Sequence, residues 1–406
     1  KRGRAKKKKK NRACQKPKTV TTAEEGTDRI SELPDDILVK ILDLPFYYGH
    51  AMKTASVSRR WEHLLAQLPH LCFVMSLRGC RKPWGTPSEQ CLQSMARTLR
   101  RRCRDGNQPV KTLRLSIKRD VAMECRYVNE FIALANAAEL VLHVQCAACM
   151  SPNNDELEDA GRWSLQLPPA TLELQILPAW YAVRPPQIQG PGVNTLRSLA
   201  LVGPVTMLRQ DFLLTGLPAL EDLHIADCNI DASINITSDA MPRLRNLRIV
   251  DVGVATDETK AAINVLVDGL RTLRMSCYKW SELDPPSEPQ TFFVRSRFVA
   301  TFTTYASFRL HTPWLQVFEW RCCDVAQVRI QSVGHLSDVT VELAAHRKPT
   351  PYREETRYVT TQQRDKLMTN ILQGLMPELQ PRSWNDIRRR CAQRDDRWLC
   401  FQITGA

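Results

Sequence analysis

No stretch of this sequence stays apolar for the roughly 18 residues that a membrane helix needs. The most apolar part, near residues 135–150, is broken by Glu139, His143 and Gln145. No apolar segment follows the charged N-terminus, so a secretory signal is not expected, and the sequon Asn235-Ile-Thr237 reads as chance. The chain opens on Lys1 rather than Met, so its natural start is expected upstream. A second CxxC is missing too. Cys146-Ala-Ala-Cys149 stands alone, without a His pair or a thioredoxin-like context, which argues against zinc or redox chemistry. The fourteen cysteines are irregularly spaced in a chain far longer than a disulfide-stapled domain. They read as reduced, buried thiols of a nuclear or cytosolic protein. Phosphate loop, Gly-x-Ser-x-Gly elbow and His-Glu-x-x-His motif are all lacking, and the eight His are scattered singly. The expectation is a non-catalytic chain with no catalytic residue, no metal site and no cofactor.

Acids are missing from residues 1–18, which hold eleven of the 57 Lys and Arg. The remaining 46 basic residues face 43 acids, so the body of the chain is nearly neutral although the whole carries +14. A basic groove for specific nucleic-acid binding is therefore not expected. The charge belongs to a tail, residues 1–27, which cannot bury apolar surface and is predicted to be disordered. Its run Lys6, Lys7, Lys8, Lys9, Lys10 reads as a nuclear-import signal, giving an expected location in the nucleus, the cytoplasm or both.

The first patterned stretch is Asp28-Arg-Ile-Ser-Glu-Leu33-Pro34-Asp35-Asp36-Ile37-Leu38-Val39-Lys40-Ile41-Leu42. Pro34 and the two acids suit a helix first turn. Ile37, Leu38, Ile41 and Leu42 share one face, and Pro45 ends the helix. A second helix follows through Ala55, Val57, Trp61, Leu64 and Leu65. A unit of about forty residues carries more apolar side chains than its own core can hide, which suits a partner surface.

The pattern Leu33-Pro34-x-x-Ile37-Leu38-x-x-Ile41-Leu42, then Ala55-Ser-Val57-Ser-Arg-Arg60-Trp61-x-x-Leu64, resembles the F-box of large plant families over residues 28–68. It departs from them in the middle, where Asp43-Leu44-Pro45 comes early and the loop 46–50 is longer. The resemblance implies docking to a Skp-family adaptor and through it to a cullin. Leu33, Pro34, Ile37, Leu38, Ile41, Leu42, Val57 and Trp61 would carry that contact or its local core.

Residues 69–106 are predicted as a helical linker, with a capping box at Thr86-Pro87-Ser88-Glu89 and Leu92, Met95 and Leu99 on one face. A repeat then fills residues 107–345. Leu220-x-x-Leu223-x-Ile225-x-x-Cys228-x-Ile230 recurs as Leu244-x-x-Leu247-x-Ile249-x-x-Val252-x-Val254 and, shortened, as Leu270-x-x-Leu273-x-Met275. The anchors 199, 223, 247 and 273 are 24, 24 and 26 residues apart, which is the leucine-rich-repeat period. Leu140-x-Leu142 and Leu172-x-Leu174 fit it in part, and the gap of 45 between Leu273 and Phe318 implies an irregular unit. The predicted fold is an α/β repeat: a helical F-box, then a leucine-rich-repeat solenoid with an inner parallel β-sheet. Residues 346–406 form a C-terminal cap whose amphipathic helix spans 360–376.

In each repeat strand, the residue between the two anchors points to the concave face. That row reads Ala200, His224, Arg248, Arg274, Glu319, with Asp222, Asn246 and Thr272 two positions earlier. His224, Arg248 and Arg274 are the candidate substrate-binding residues, suited to an acidic or phosphorylated protein segment. Three readings stay open: a substrate-recognition adaptor of a Skp–cullin–F-box ubiquitin ligase, a repeat scaffold with no ligase, and a nucleic-acid-associated protein using its Lys tail.

Overall fold

The computed structural model describes residues 32–43, 59–65, 67–75, 89–104, 110–117, 121–144, 164–178, 186–203, 206–207, 216–230, 233–254, 262–276, 305–321, 325–333, 336–344, 361–377 and 398–404. Residues 1–27 with Lys6–Lys10, Val57, the pair Cys146 and Cys149, and residues 277–304 lie outside them.

Five α-helices are described: α1 (Asp35–Asp43), α2 (Arg59–Leu65), α3 (Glu89–Arg104), α4 (Val121–Ala135) and α5 (Thr361–Leu375). The strands of the large sheet are β1 (His70–Met75), β2 (Thr112–Ile117), β3 (Glu139–Val144), β5 (Glu173–Pro178), β7 (Ser198–Val202) and β9 (Asp222–Ala226). It continues with β12 (Asn246–Val250), β15 (Thr272–Ser276), β17 (Val317–Arg321), β19 (Asp338–Ala344) and β20 (Trp398–Thr404). These eleven lie side by side in chain order, all parallel except the last pair. A second sheet runs β11 (Ile234–Thr237), β14 (Ala262–Leu266), β16 (Tyr305–Thr312), β18 (Val325–Val333). Two small sheets complete the set, β8 (Thr206–Met207) with β10 (Asn229–Ile230) and β13 (Gly253–Val254), and β4 (Ser164–Gln166) with β6 (Gln187–Gln189). This is mostly parallel-strand α/β structure with few helices, consistent with a repeat solenoid.

Register follows from alternation. Leu113, Leu140, Leu174, Leu199, Leu223, Leu247, Leu273 and Phe318 form one continuous row across neighbouring strands, and every member is buried. A second buried row two residues on includes Leu201, Ile225, Ile249, Met275 and Trp320. A parallel strand cannot close a core by itself, and each fully buried Leu or Ile contributes about 1.5–3 kcal/mol only when a neighbour covers it. Toward the C-terminal end the second sheet supplies that cover, where Phe308 of β16 meets Trp320 of β17 edge-on at 4.9 Å; at the N-terminal end α4 does, with Phe131 6.0 Å from Phe73 of β1. The repeat also shows in the backbone. Asp227 and Asp251, 24 residues apart, both take positive φ (55° and 49°) just after β9 and β12, a conformation Asp tolerates better than most residues.

The structure departs from the sequence reading in four places. Leu172 is exposed and β5 buries Leu174 and Ile176 instead, so that repeat is shifted by two residues. The linker stretch contributes β1, which pairs with β2 through Leu71 and Phe73. The C-terminal stretch holds β20, antiparallel to β19, with Leu399, Phe401 and Ile403 on its inner side. Residues 305–312 of the irregular gap form β16, which belongs to the second sheet rather than to the large one.

Candidate functional site

At the N-terminal end the apolar residues of α1 divide. Leu38 and Leu42 are buried, and with Trp61 and Leu64 they join the same core cluster as Leu71 and Phe73 of the sheet. Ile37 and Ile41 are 36% and 40% exposed, and Pro34 is exposed beside them. Positions 34, 37 and 41 fall on one side of the helix, so an apolar stripe faces solvent. Leu33 is half-buried against the core. The start of this helix is pinned by Arg60, whose Nη2 donates to Asp35 Oδ1 and to the Leu33 carbonyl, each at 2.6 Å. Six of the eight motif residues are thus of two kinds: Leu38, Leu42 and Trp61 hold the helices, and Pro34, Ile37 and Ile41 are free to be covered.

On the face of the large sheet opposite the core, His224, Arg248, Arg274 and Glu319 are neighbours in register on β9, β12, β15 and β17. The expected row is therefore assembled, but its members differ. Arg274 Nε lies 3.4 Å from Glu319 Oε2, and Glu319 Oε1 takes a 2.6 Å contact from Arg321 Nε. Arg248 is exposed, with no carboxylate in ion-pair range among the described residues. The His224 ring is half-buried and its Nε2 has no hydrogen-bond partner. Burial first, then Arg248, lowers its pKa against the opposing pull of Asp227, so it is neutral at neutral pH. Asp222 accepts a 2.6 Å bond from Asn246 Nδ2, and Thr272 sits beside Asn246 in register.

Two further arginines lie at the entry to these strands. Arg245 and Arg271 immediately precede β12 and β15, are exposed, and are linked by a 2.8 Å bond from the Arg271 amide to the Arg245 carbonyl. The signal was in the sequence: Leu-Arg-x-Leu-Arg occurs at 244–248 and again at 270–274. Elsewhere, no group of three metal-ligating side chains occurs among the described residues. No helix among them is long and apolar enough to cross a membrane. Asn235 of the sequon is half-buried, and its Oδ1 accepts a 2.7 Å bond from Asn264 Nδ2.

Two curated relatives are similar to part of the chain. An F-box protein of Arabidopsis thaliana is 39% identical over 66 residues, 15% of this chain. An FBD-associated F-box protein of the same plant is 47% identical over 57 residues, 14% of this chain. Each match spans 13% of the relative's length. No family model matches the chain, and no solved structure does either. The likeness to F-box proteins is real and short.

Proposed function

We propose that this chain is a substrate-recognition adaptor of a Skp–cullin–F-box ubiquitin ligase. Residues 28–68 act as the F-box and bind a Skp-family subunit, residues 107–345 act as leucine-rich repeats, and the stretch 346–406 caps them. The protein substrate is held on the open sheet face by His224, Arg248 and Arg274, and catalysis lies on other subunits, so the chain contributes proximity. The observation that carries the reading is the exposed stripe Pro34, Ile37, Ile41 on a helix whose other apolar face is already buried. The partial likeness to F-box proteins supports it.

The test is co-purification with a recombinant Skp subunit. Ile37→Glu with Ile41→Glu puts two charges where a partner must cover apolar surface, while leaving Leu38 and Leu42 in place. The double variant loses capture; full recovery of the Skp subunit removes the docking role. The scaffold reading keeps one observation in its favour. Leu38, Leu42, Trp61 and Leu64 join the sheet's core cluster, as helices serving only as a cap also would. The tail acts separately. Its run Lys6–Lys10 directs nuclear import, and a reporter whose location is unchanged after replacing those five lysines with Gln ends that idea.

A further inference from the structure

Four arginines form two tiers along two adjacent strands: Arg245 and Arg271 just before β12 and β15, at the rim, and Arg248 and Arg274 on the strands, on the open face. Within each tier the partners are in register or joined backbone to backbone, so the side chains start about 4.8 Å apart. Along the strand the tiers are three residues apart, about 10 Å. Like charges directly opposite each other destabilise a sheet, so folding alone does not select this arrangement. All four are exposed. Among the described residues Arg274 alone of the four has a carboxylate in ion-pair range, Glu319. Glu221 neighbours Arg245 in the rim row through a 2.8 Å backbone bond, yet its carboxylate makes no ion pair there. The chain outside its tail is nearly neutral, so this is local charge and not a general excess.

Glu319 also shows how such forks are used. Its carboxylate lies between guanidiniums at two successive levels, Arg274 and Arg321. An incoming carboxylate can repeat that mode between Arg245 and Arg271, and a second one can do so at Arg248. We infer that this face is a clamp for an Asp- or Glu-rich segment of a protein partner, with the rim tier and Arg248 each holding a carboxylate. The inference rests on the substrate-binding reading above and deepens it. The chain's own tail is not the occupant, because its charge has the same sign. Asn246 and Thr272 lie between the tiers on the open face, and the Asn246 amide, tied to Asp222, is held in place to meet the segment's backbone.

The experiment uses the full chain with Lys6–Lys10 replaced by Gln in every sample, so that the tail does not bind the probes. Fluorescence anisotropy is read with three labelled peptides of equal length: Glu alternating with Gly, Lys alternating with Gly, and phosphoserine alternating with Gly. The Glu peptide binds, weakens as salt is raised, and loses about tenfold or more in affinity in Arg245→Gln with Arg271→Gln. Arg248→Ala, at an exposed side chain with no carboxylate partner to lose, gives a loss in the same direction if the double variant does not fold. The Lys peptide does not bind. Ile37→Glu with Ile41→Glu leaves Glu-peptide binding intact, which separates failure of the clamp from failure of adaptor docking. Unchanged affinity in the Gln variant, no binding by the parent chain, or binding of the phosphoserine peptide alone overturns the carboxylate clamp.

Discussion

His224 occupies the place where the repeat pattern and local chemistry part company. The position itself was readable, because a 24-residue period and strict alternation fix which side chain faces outward. Its half-burial, its unpartnered Nε2 and the neutralisation of Arg274 by Glu319 were not, since these depend on which strands are neighbours in space. The environment has a consequence for pH. His224 and His143 both have pKa values lowered, chiefly by burial and secondly by Arg248 and Arg114 respectively. The unfolded chain therefore binds protons at a higher pH than the folded one does. Stability is retained above the ordinary His range and falls as pH drops through it toward the lowered folded values. Urea midpoints measured from pH 7 down to pH 5 should decline, and His224→Gln with His143→Gln should flatten that decline. An unchanged slope in the double variant would show that other groups set it.

Helix α1 and helix α5 show how far an amphipathic pattern goes. For α1 the pairs Ile37/Ile41 and Leu38/Leu42 have the same spacing, and only the packing of Trp61 and Leu64 decides that the Leu pair turns inward. For α5 the stripe Leu367, Ile371, Leu375 is buried as its period implies, and the helix spans 361–375 against the expected 360–376. Strand β20 was hidden by shortness: Leu399, Phe401 and Ile403 alternate, but a lone alternating run carries no repeat to announce it. The second sheet was hidden by the stronger leucine period next to it. Helix α5 packs on β18 and comes close at Gly374, where an added Cβ would lie 2.6 Å from Ile330 Cβ. Gly374→Ala gains up to about 1 kcal/mol of helix propensity but forces a backbone shift costing about 1–3 kcal/mol. The expected result is a lower thermal midpoint, while Gln373→Ala, on the exposed side of the same turn, leaves it unchanged. An equal or raised midpoint for Gly374→Ala would mean that α5 is not seated as described.

From α1 to β20 one continuous cluster of buried apolar residues runs through the protein, and charge is sorted around it. The N-terminal end presents apolar side chains to solvent, while the middle of the sheet presents arginines. Such a division suits a protein that joins two different partners, one by apolar burial and one by charge, with each end altered independently of the other. The most direct measurement is titration calorimetry of a recombinant Skp subunit into three forms of the full chain: the parent, Ile37→Glu with Ile41→Glu, and Arg245→Gln with Arg271→Gln. The account predicts heat of binding for the parent and the arginine variant with the same affinity, and none for the isoleucine variant at equal fold stability. Equal binding by all three, or none by the parent, would contradict it.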